Sequence, residues 1–205
     1  MSIPYRHIAI EGGIGAGKST LAMALAERLG TEPLLEPFAD NPFLEQFYLD
    51  PERYAFPVEL SFLAQRYKQV KAALSARTLF RDALVSDYLF AKSDLFAKIT
   101  LPKTEYALFR NLYDHKADGM AKPELIVYLR PGEARQRAQI EARGRSYALP
   151  PQSTGRAQLT DRRCSRRLLP LIKGWGAGPQ RLARNLVPSP AARQRGLLRI
   201  GGRIL

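Results

Sequence analysis

The most chemically specific stretch of the chain is Gly12-Gly13-Ile14-Gly15-Ala16-Gly17-Lys18-Ser19, which fits the pattern GxxxxGK[ST] at every position. Glycines at that density let a backbone fold closely around an anion and point successive N–H groups at it. The lysine can reach the β- and γ-phosphates of a nucleotide, and the serine hydroxyl after it can ligate Mg2+. A helix beginning near Lys18 adds the positive end of its dipole. A glycine turn that matched by chance would lack the expected context, a strand before it and an amphipathic helix after it. Both are present: His7-Ile8-Ala9-Ile10 is β-prone, and Leu21, Leu25 and Leu29 recur at i, i+4 and i+8. The stretch is a nucleoside-triphosphate site, but alone it does not choose between a kinase, a GTPase and a motor.

The elements that must position this loop alternate between strand and helix signals, the pattern of an α/β domain with a parallel sheet. The first helix is predicted over Ser19–Leu29, with Gly30 as its stop. Pro33 to Pro37 reads as a second short strand closed by proline, and Ala83 to Ser86 as a third. Leu125 to Leu129 is the clearest strand, apolar without interruption, as expected where both faces of a sheet are covered. A long helix is predicted over Tyr54–Leu74, with Leu60, Leu63, Tyr67, Val70 and Leu74 on one side. Further helices are expected over 88–99, 103–116 and 132–142. Two carboxylates then stand just past strand ends, where such folds gather their chemistry: Glu36 after the second strand and Asp87 after the third. Asp87 is suited to the Mg2+ side of a phosphoryl transfer, and equally to capping the helix that follows.

Composition bounds what else the chain can be. Its 205 residues are enough for one domain with a buried core, and no apolar run approaches the ~18 residues of a bilayer span. Met1 to Gly12 shows no signal-peptide pattern, and a single Cys164 fits a reducing compartment, so a cytoplasmic protein without membrane partners is expected. His7 and His115 offer no metal-site spacing. The net charge of +13 suggests nucleic acid until it is divided by position. Residues 1–147 hold 20 basic and 18 acidic residues, whereas residues 148–205 hold 12 basic residues and one acid, Asp161. All nine tyrosines and all nine phenylalanines lie in the first part. The chain is two compositions joined near Tyr147, and the charge of the second says nothing about the first.

The first part resembles the deoxynucleoside kinase family, especially its bacterial deoxyadenosine and deoxyguanosine kinase branch. The resemblance runs in order through Ile10-Glu11-Gly12 and Gly17-Lys18-Ser19-Thr20, then Leu35-Glu36-Pro37, Asp40-Asn41-Pro42-Phe43-Leu44, and Phe47-Tyr48 with Asp50-Pro51. It continues through Gln65-Arg66-Tyr67, Ser86-Asp87-Tyr88-Leu89-Phe90-Ala91-Lys92, Leu95-Phe96-Ala97, Val127-Tyr128-Leu129 and Arg143-Gly144-Arg145. Apart from the phosphate loop each piece is short; their order and spacing carry the resemblance, over roughly 70% of the chain. It implies a P-loop fold and transfer of the ATP γ-phosphate to a deoxynucleoside 5′-hydroxyl, with Mg2+, for nucleotide salvage. It also implies a homodimer through long helices.

Site roles follow from the same match. Residues Gly12 to Thr20 would hold ATP, with Ser19 and Asp87 on the metal side. A 5′-hydroxyl is a poor nucleophile near neutral pH and wants a positioned base, and Glu36 matches the family's. Tyr48 matches a tyrosine that reaches the sugar 3′-hydroxyl, and Arg66 an arginine that reaches the base edge; a packing aromatic and a surface cation are the plainer readings of the two. Glu59 stands where the family usually has a glutamine paired with the base. An ionised glutamate there offers acceptors only. Arg143 and Arg145 resemble the arginines of the family's lid, which would neutralise charge on the transferring group. Two departures are visible: Gln139 replaces a further lid arginine, and Ser86-Asp87-Tyr88 replaces an acid-Arg-Ser triplet. A nucleoside monophosphate (thymidylate-type) kinase is the alternative enzyme, but no cation cluster between Phe38 and Tyr67 would hold an acceptor phosphate.

The resemblance stops at Tyr147. Residues 148–205 are rich in Arg, Pro and Gly, contain one valine and scattered isoleucines, and cannot supply the β-branched run of a closing strand. They read as disordered or out of frame, leaving the sheet without its C-terminal strand and activity impaired. Two explanations fit: a basic appendage to an inactive nucleotide-binding protein that associates with nucleic acid, or a shifted reading frame. GC-rich coding DNA read out of frame yields Arg, Pro, Ala, Gly and Ser with few acids. The break falls inside a family motif, which favours the second and makes nucleic acid an unexpected partner.

Overall fold

The computed structural model describes residues 4–37, 41–75, 83–120, 122–142, 181–184, 199–200 and 203–204. In chain order these form β1 (His7–Gly12), α1 (Lys18–Leu29), β2 (Pro33–Leu34), α2 (Leu44–Leu49), α3 (Pro51–Ser75) and β3 (Leu84–Ser86). There follow α4 (Lys92–Thr100), α5 (Lys103–Ala117), β4 (Leu125–Leu129), α6 (Glu133–Ala142), β5 (Arg181–Arg184), β6 (Arg199–Ile200) and β7 (Arg203–Ile204). Five strands make one sheet in the order β2-β3-β1-β4-β5, and every neighbouring pair is parallel. β6 and β7 pair antiparallel with each other.

All residues of β1 and β4 are buried; β4 is apolar throughout, as a strand covered on both faces should be, whereas β1 also buries His7 and Glu11. Alternation assigns their side chains to two faces. Ile8, Ile10, Val85, Leu125, Val127 and Leu129 pack with Ala22, Leu25 and Ala26 of α1 on one face, while Ala9, Ile126 and Tyr128 meet Leu89 and Leu95 on the other. Beyond that second face Ala55 and Leu63 of α3 join Ala97, Phe109 and Tyr113 in a helical layer. Each fully buried aliphatic side chain contributes about 1.5–3 kcal/mol, so these layers hold the strand ends in place.

The α/β class, the parallel sheet and the main elements agree with the sequence expectations. α2 was not anticipated, and β2 is only two residues long. α3 begins at Pro51 and carries Pro57 inside it. Its buried side is rotated from the expected stripe: Leu63 and Val70 are buried, but so are Ala55, Val58, Glu59, Phe62 and Arg66. The helix is packed against α2, α4 and α5 on several sides, so no single apolar stripe describes it. β5 pairs with β4 in the register Leu125↔Arg181 to Tyr128↔Arg184. A ladder is made by backbone N–H and C=O groups, so a segment without β-branched residues can complete it. Residues 143–180 lie outside the described residues. Among the described residues, no helix is long and apolar enough to cross a membrane.

Candidate active site

Four strand ends converge where the order of the sheet reverses around β1, the place at which open α/β sheets bind ligands. β1 runs into the glycine loop, and α1 starts at Lys18. Gly12 has φ 154°, and a Cβ there would stand 2.6 Å from the Leu129 carbonyl oxygen, so only glycine lets β1 and β4 approach at the loop's entrance. Gly17 caps α1 in the left-handed region with φ 88°, and no side chain occupies the cap. The first turn of α1 holds no acid, which leaves its N–H groups and dipole for an anion. Lys18 Nζ donates to the carbonyls of Gly12 at 2.9 Å and Gly13 at 3.0 Å, folding its charge over the loop. Gln136 of α6 donates to the Ile14 carbonyl at 2.6 Å, fixing α6 against the same loop.

A chain of polar contacts leads away from Ser19. Its hydroxyl donates to Asp87 Oδ2 at 2.6 Å, and Asp87 Oδ1 accepts the Glu36 backbone N–H at 2.7 Å. Asp87 therefore links the ends of β2 and β3 to the phosphate loop. It does not cap α4, whose N-cap is Ala91. The Glu36 carboxylate accepts from Arg66 Nε at 2.8 Å and is also bonded and ion-paired to Arg66 Nη2. Arg66 Nη1 donates to Ser93 Oγ at 2.7 Å, and the guanidinium lies 5.0 Å from the Phe62 ring centre and 6.0 Å from that of Tyr88. It is 5% exposed, so the surface-cation reading of Arg66 is wrong. Burial pushes the Glu36 carboxyl up, but the attraction of Arg66, Lys92 and Lys18 and the Arg66 hydrogen bond outweigh it; the net shift is downward, and Glu36 is held ionised.

Gln69 of α3 holds this loop from the side. Its Nε2 donates to the Leu35 carbonyl at 3.2 Å and its Oε1 accepts the Tyr88 hydroxyl at 2.9 Å. Glu59 lies on α3 with Arg66, 4% exposed, and its Oε1 is 3.0 Å from Thr100 Oγ1 of α4. Burial dominates there and raises its carboxyl to about 7, against the opposing pull of Arg66. Tyr48 of α2 is half-buried against Leu44, Val58 and Phe62, in edge contact with Phe47 at 5.8 Å. The structure thus brings Lys18, Ser19, Glu36, Asp87, Arg66 and Glu59 into one contiguous cluster, with Tyr48 beside it through Phe62. Arg143 and Arg145 lie outside the described residues, just past α6.

Sequence reasoning missed the pair formed by Glu11 and Lys92. Glu11, 1% exposed at the end of β1, accepts the Leu89 N–H at 2.9 Å, the Gly12 N–H at 3.3 Å and the Lys92 ammonium at 3.3 Å. An acid ending an otherwise apolar buried strand was the available signal, because a buried carboxylate needs a partner. Oxygen donors of Ser19 and Asp87 beside a phosphate loop suit Mg2+, which takes one or two protein ligands and leaves the rest to phosphate and water. Among the described residues no cluster of three or more His, Cys, Asp or Glu forms a dedicated metal cage.

Comparison with known proteins defines the family. The family model Deoxynucleoside kinase matches residues 8–150. The chain is 34% identical over 140 residues to deoxyguanosine kinase of Bacillus subtilis, covering 68% of each chain. It is 34% identical over 150 residues to deoxyadenosine/deoxycytidine kinase of the same organism, covering 69% of this chain and 67% of that one. In fold it is similar to the deoxyadenosine kinase of M. mycoides solved with bound dCTP, with a TM-score of 0.68 over 86% of this chain and 88% of that one, at 24% identity. The chain belongs to the deoxynucleoside kinase family. It is accordingly a phosphotransferase, and ATP is the phosphate donor the family implies.

Proposed function

We propose that the chain transfers the γ-phosphoryl group of ATP to the 5′-hydroxyl of a deoxynucleoside, as a salvage enzyme of the cytoplasm. The observation that carries this reading is the Ser19–Asp87–Glu36 link, which sets a buried, ionised carboxylate beside the phosphate loop. The backbone of Gly12 to Thr20 cradles the phosphates, and Lys18 trades its loop carbonyls for phosphate oxygens. Ser19 and Asp87 would hold Mg2+, which supplies charge neutralisation when bound. Glu36 accepts the 5′-hydroxyl proton as that oxygen bonds to phosphorus, and ADP leaves. Arg66 keeps Glu36 ionised and aimed, Tyr48 takes the sugar, and Arg66 and Glu59 border the base. Arg143 and Arg145 close over the phosphates.

A nucleoside rather than a nucleotide acceptor is favoured because the cations around Glu36 are already committed: Arg66 pairs with Glu36 and Lys92 with Glu11. Exposed Leu108 and Leu112, one turn apart on α5, support a homodimer through that helix. The composition change supports a family domain ending near Tyr147, followed by a segment read out of frame. Re-reading the coding DNA with one base inserted or deleted near codon 147 should yield acids, an amphipathic helix and an apolar strand; neither frame doing so overturns that reading. The functional test is a coupled assay of the full chain with ATP and four deoxynucleosides. Phosphorylation of at least one is expected. ATP binding without turnover would make it an inactive nucleotide binder, and preference for monophosphates would make it a nucleotide kinase.

A further inference from the structure

Glu11 and Lys92 are 1% and 7% exposed and paired at 3.3 Å, yet neither takes part in the proton or phosphoryl transfer described above. Apolar residues of the same volume would often be as stable, so the two buried charges call for an explanation. Their place in the sheet offers one. β1 and β3 pair from His7↔Leu84 to Ala9↔Ser86 and then part, while β1 continues beside β4 as far as Gly12↔Leu129. That parting opens the crevice at the strand ends. On one bank Ile10 to Gly12 lead into the glycine loop, and on the other Asp87 to Leu89 lead into α4. Among the described residues no ladder pair joins these banks beyond Ala9. The Glu11 side chain joins them instead. Its Oε1 accepts the Leu89 N–H at 2.9 Å, and its Oε2 accepts the Gly12 N–H and the Lys92 ammonium, each at 3.3 Å. Lys92, the first residue of α4, brings that helix to the same point.

We propose that Glu11 is a positioning residue for phosphoryl transfer: its two oxygens fix the distance between the glycine loop and the Asp87 segment, and Lys92 is the counterion that holds it there. The two banks carry groups that must act together. The helix after the glycine loop presents Ser19, and its hydroxyl meets Asp87 at 2.6 Å. The other ties of the Asp87 segment run elsewhere: the Asp87 amide to the Leu34 carbonyl at 3.1 Å, and the Ser86 hydroxyl to the Tyr88 carbonyl at 2.9 Å. Glu11 is the tie to the end of β1. A misplacement of about 1 Å can cost ~10²-fold in rate, so the spacing matters even though Glu11 touches no reacting atom. The bridge also needs a group that accepts on both sides, which a carboxylate does. A glutamine amide has an acceptor at one end and a donor at the other. It can serve Leu89, or Gly12 with Lys92, but not both. The inference rests on the deoxynucleoside kinase reading proposed above.

The test compares Glu11→Gln, Lys92→Met and the double substitution in the full chain, by steady-state kinetics with ATP and the preferred deoxynucleoside, titration calorimetry with ADP, and thermal melts. Glu11→Gln keeps the Lys92 charge and should lower kcat by ~10–10²-fold. The KM for ATP and the Kd for ADP should change by less than about threefold, because the loop donors and Lys18 are untouched. Each single substitution leaves a buried charge unpaired and should lower Tm. The double substitution removes both charges at similar volume and should regain Tm, yet its kcat should stay as low as that of Glu11→Gln, since nothing then accepts from both banks. A pair that merely stabilised the fold would behave differently: kcat would recover together with Tm. That recovery, or a kcat within about threefold of the parent in Glu11→Gln, overturns the positioning role alone. An unaltered chain that phosphorylates no deoxynucleoside overturns the kinase reading and this inference with it.

Discussion

Replacing Glu36 with glutamine separates its two duties, accepting a proton and neutralising Arg66. The amide oxygen can still accept from Arg66 Nε, now at 2.8 Å from the carboxylate, so shape and hydrogen bonding survive while the charge is lost. Breaking a buried ion pair outright costs about 3–5 kcal/mol. Here a retained acceptor reduces that cost, and Glu59, released from the repulsion of Glu36, can ionise beside Arg66. A destabilisation of about 2 kcal/mol follows, or roughly 4–8 °C in Tm for a domain of this size. Positioned bases contribute ~10²–10⁴ to rate, and a carboxylate whose affinity for protons has been lowered sits at the weak end of that range. Turnover should therefore fall by ~10², about 2.7 kcal/mol of barrier, with the KM for ATP changed by less than about twofold. Steady-state kinetics and thermal melts measure both effects. The acid limb adds a signature: the folded Glu36 value lies below 4.5, so its stabilisation is complete above that pH and is lost as pH falls through the depressed value. Glutamine should remove that loss. A turnover within about threefold of the parent, together with the expected drop in Tm, would show that Glu36 only holds Arg66.

Two further substitutions test the phosphate loop. Lys18→Ala removes an ammonium whose partners include two loop carbonyls, so kcat/KM should fall by ~10²–10³ while Tm moves by less than about 2 °C; concurrent unfolding would mark Lys18 as structural. Gly12→Ala forces a Cβ to within 2.6 Å of the Leu129 carbonyl at φ 154°, and should cost about 2–4 kcal/mol in urea unfolding; a cost below about 1 kcal/mol would show that β1 and β4 can separate there.

What was legible in the sequence was whatever rests on local chemistry. The glycine loop, the Leu21–Leu25–Leu29 face of α1 and the all-apolar β4 each carry their structure in spacing alone, and all appear as expected. Glu36 and Asp87 were legible as residues just past strand ends, though the hydrogen bond joining them spans 51 positions and no local pattern encodes it. α3 was misread because periodicity registers apolar residues, whereas the inner face of this helix includes Glu59 and Arg66. Lys92 carries no local signal of its pairing: its partner Glu11 stands 81 positions away, and only the fold joins them. β5 was hidden for the opposite reason: backbone pairing leaves little trace in an arginine-rich stretch.

The brevity of β2 has a consequence for how this site opens. Two residues of ladder cannot protect the loop that follows. That loop is held instead by Asp87 on the Glu36 amide, by the Asp87 amide on the Leu34 carbonyl at 3.1 Å, and by Gln69 on the Leu35 carbonyl. Each of these contacts fails when the loop lifts, so the segment must detach as one cooperative unit rather than fray residue by residue. In native-state hydrogen exchange the amides of Glu36 and Asp87 should then share one opening free energy and one denaturant dependence. That value belongs to the anchoring of α3 to the loop, below the global value reported by the amides of β1 and β4.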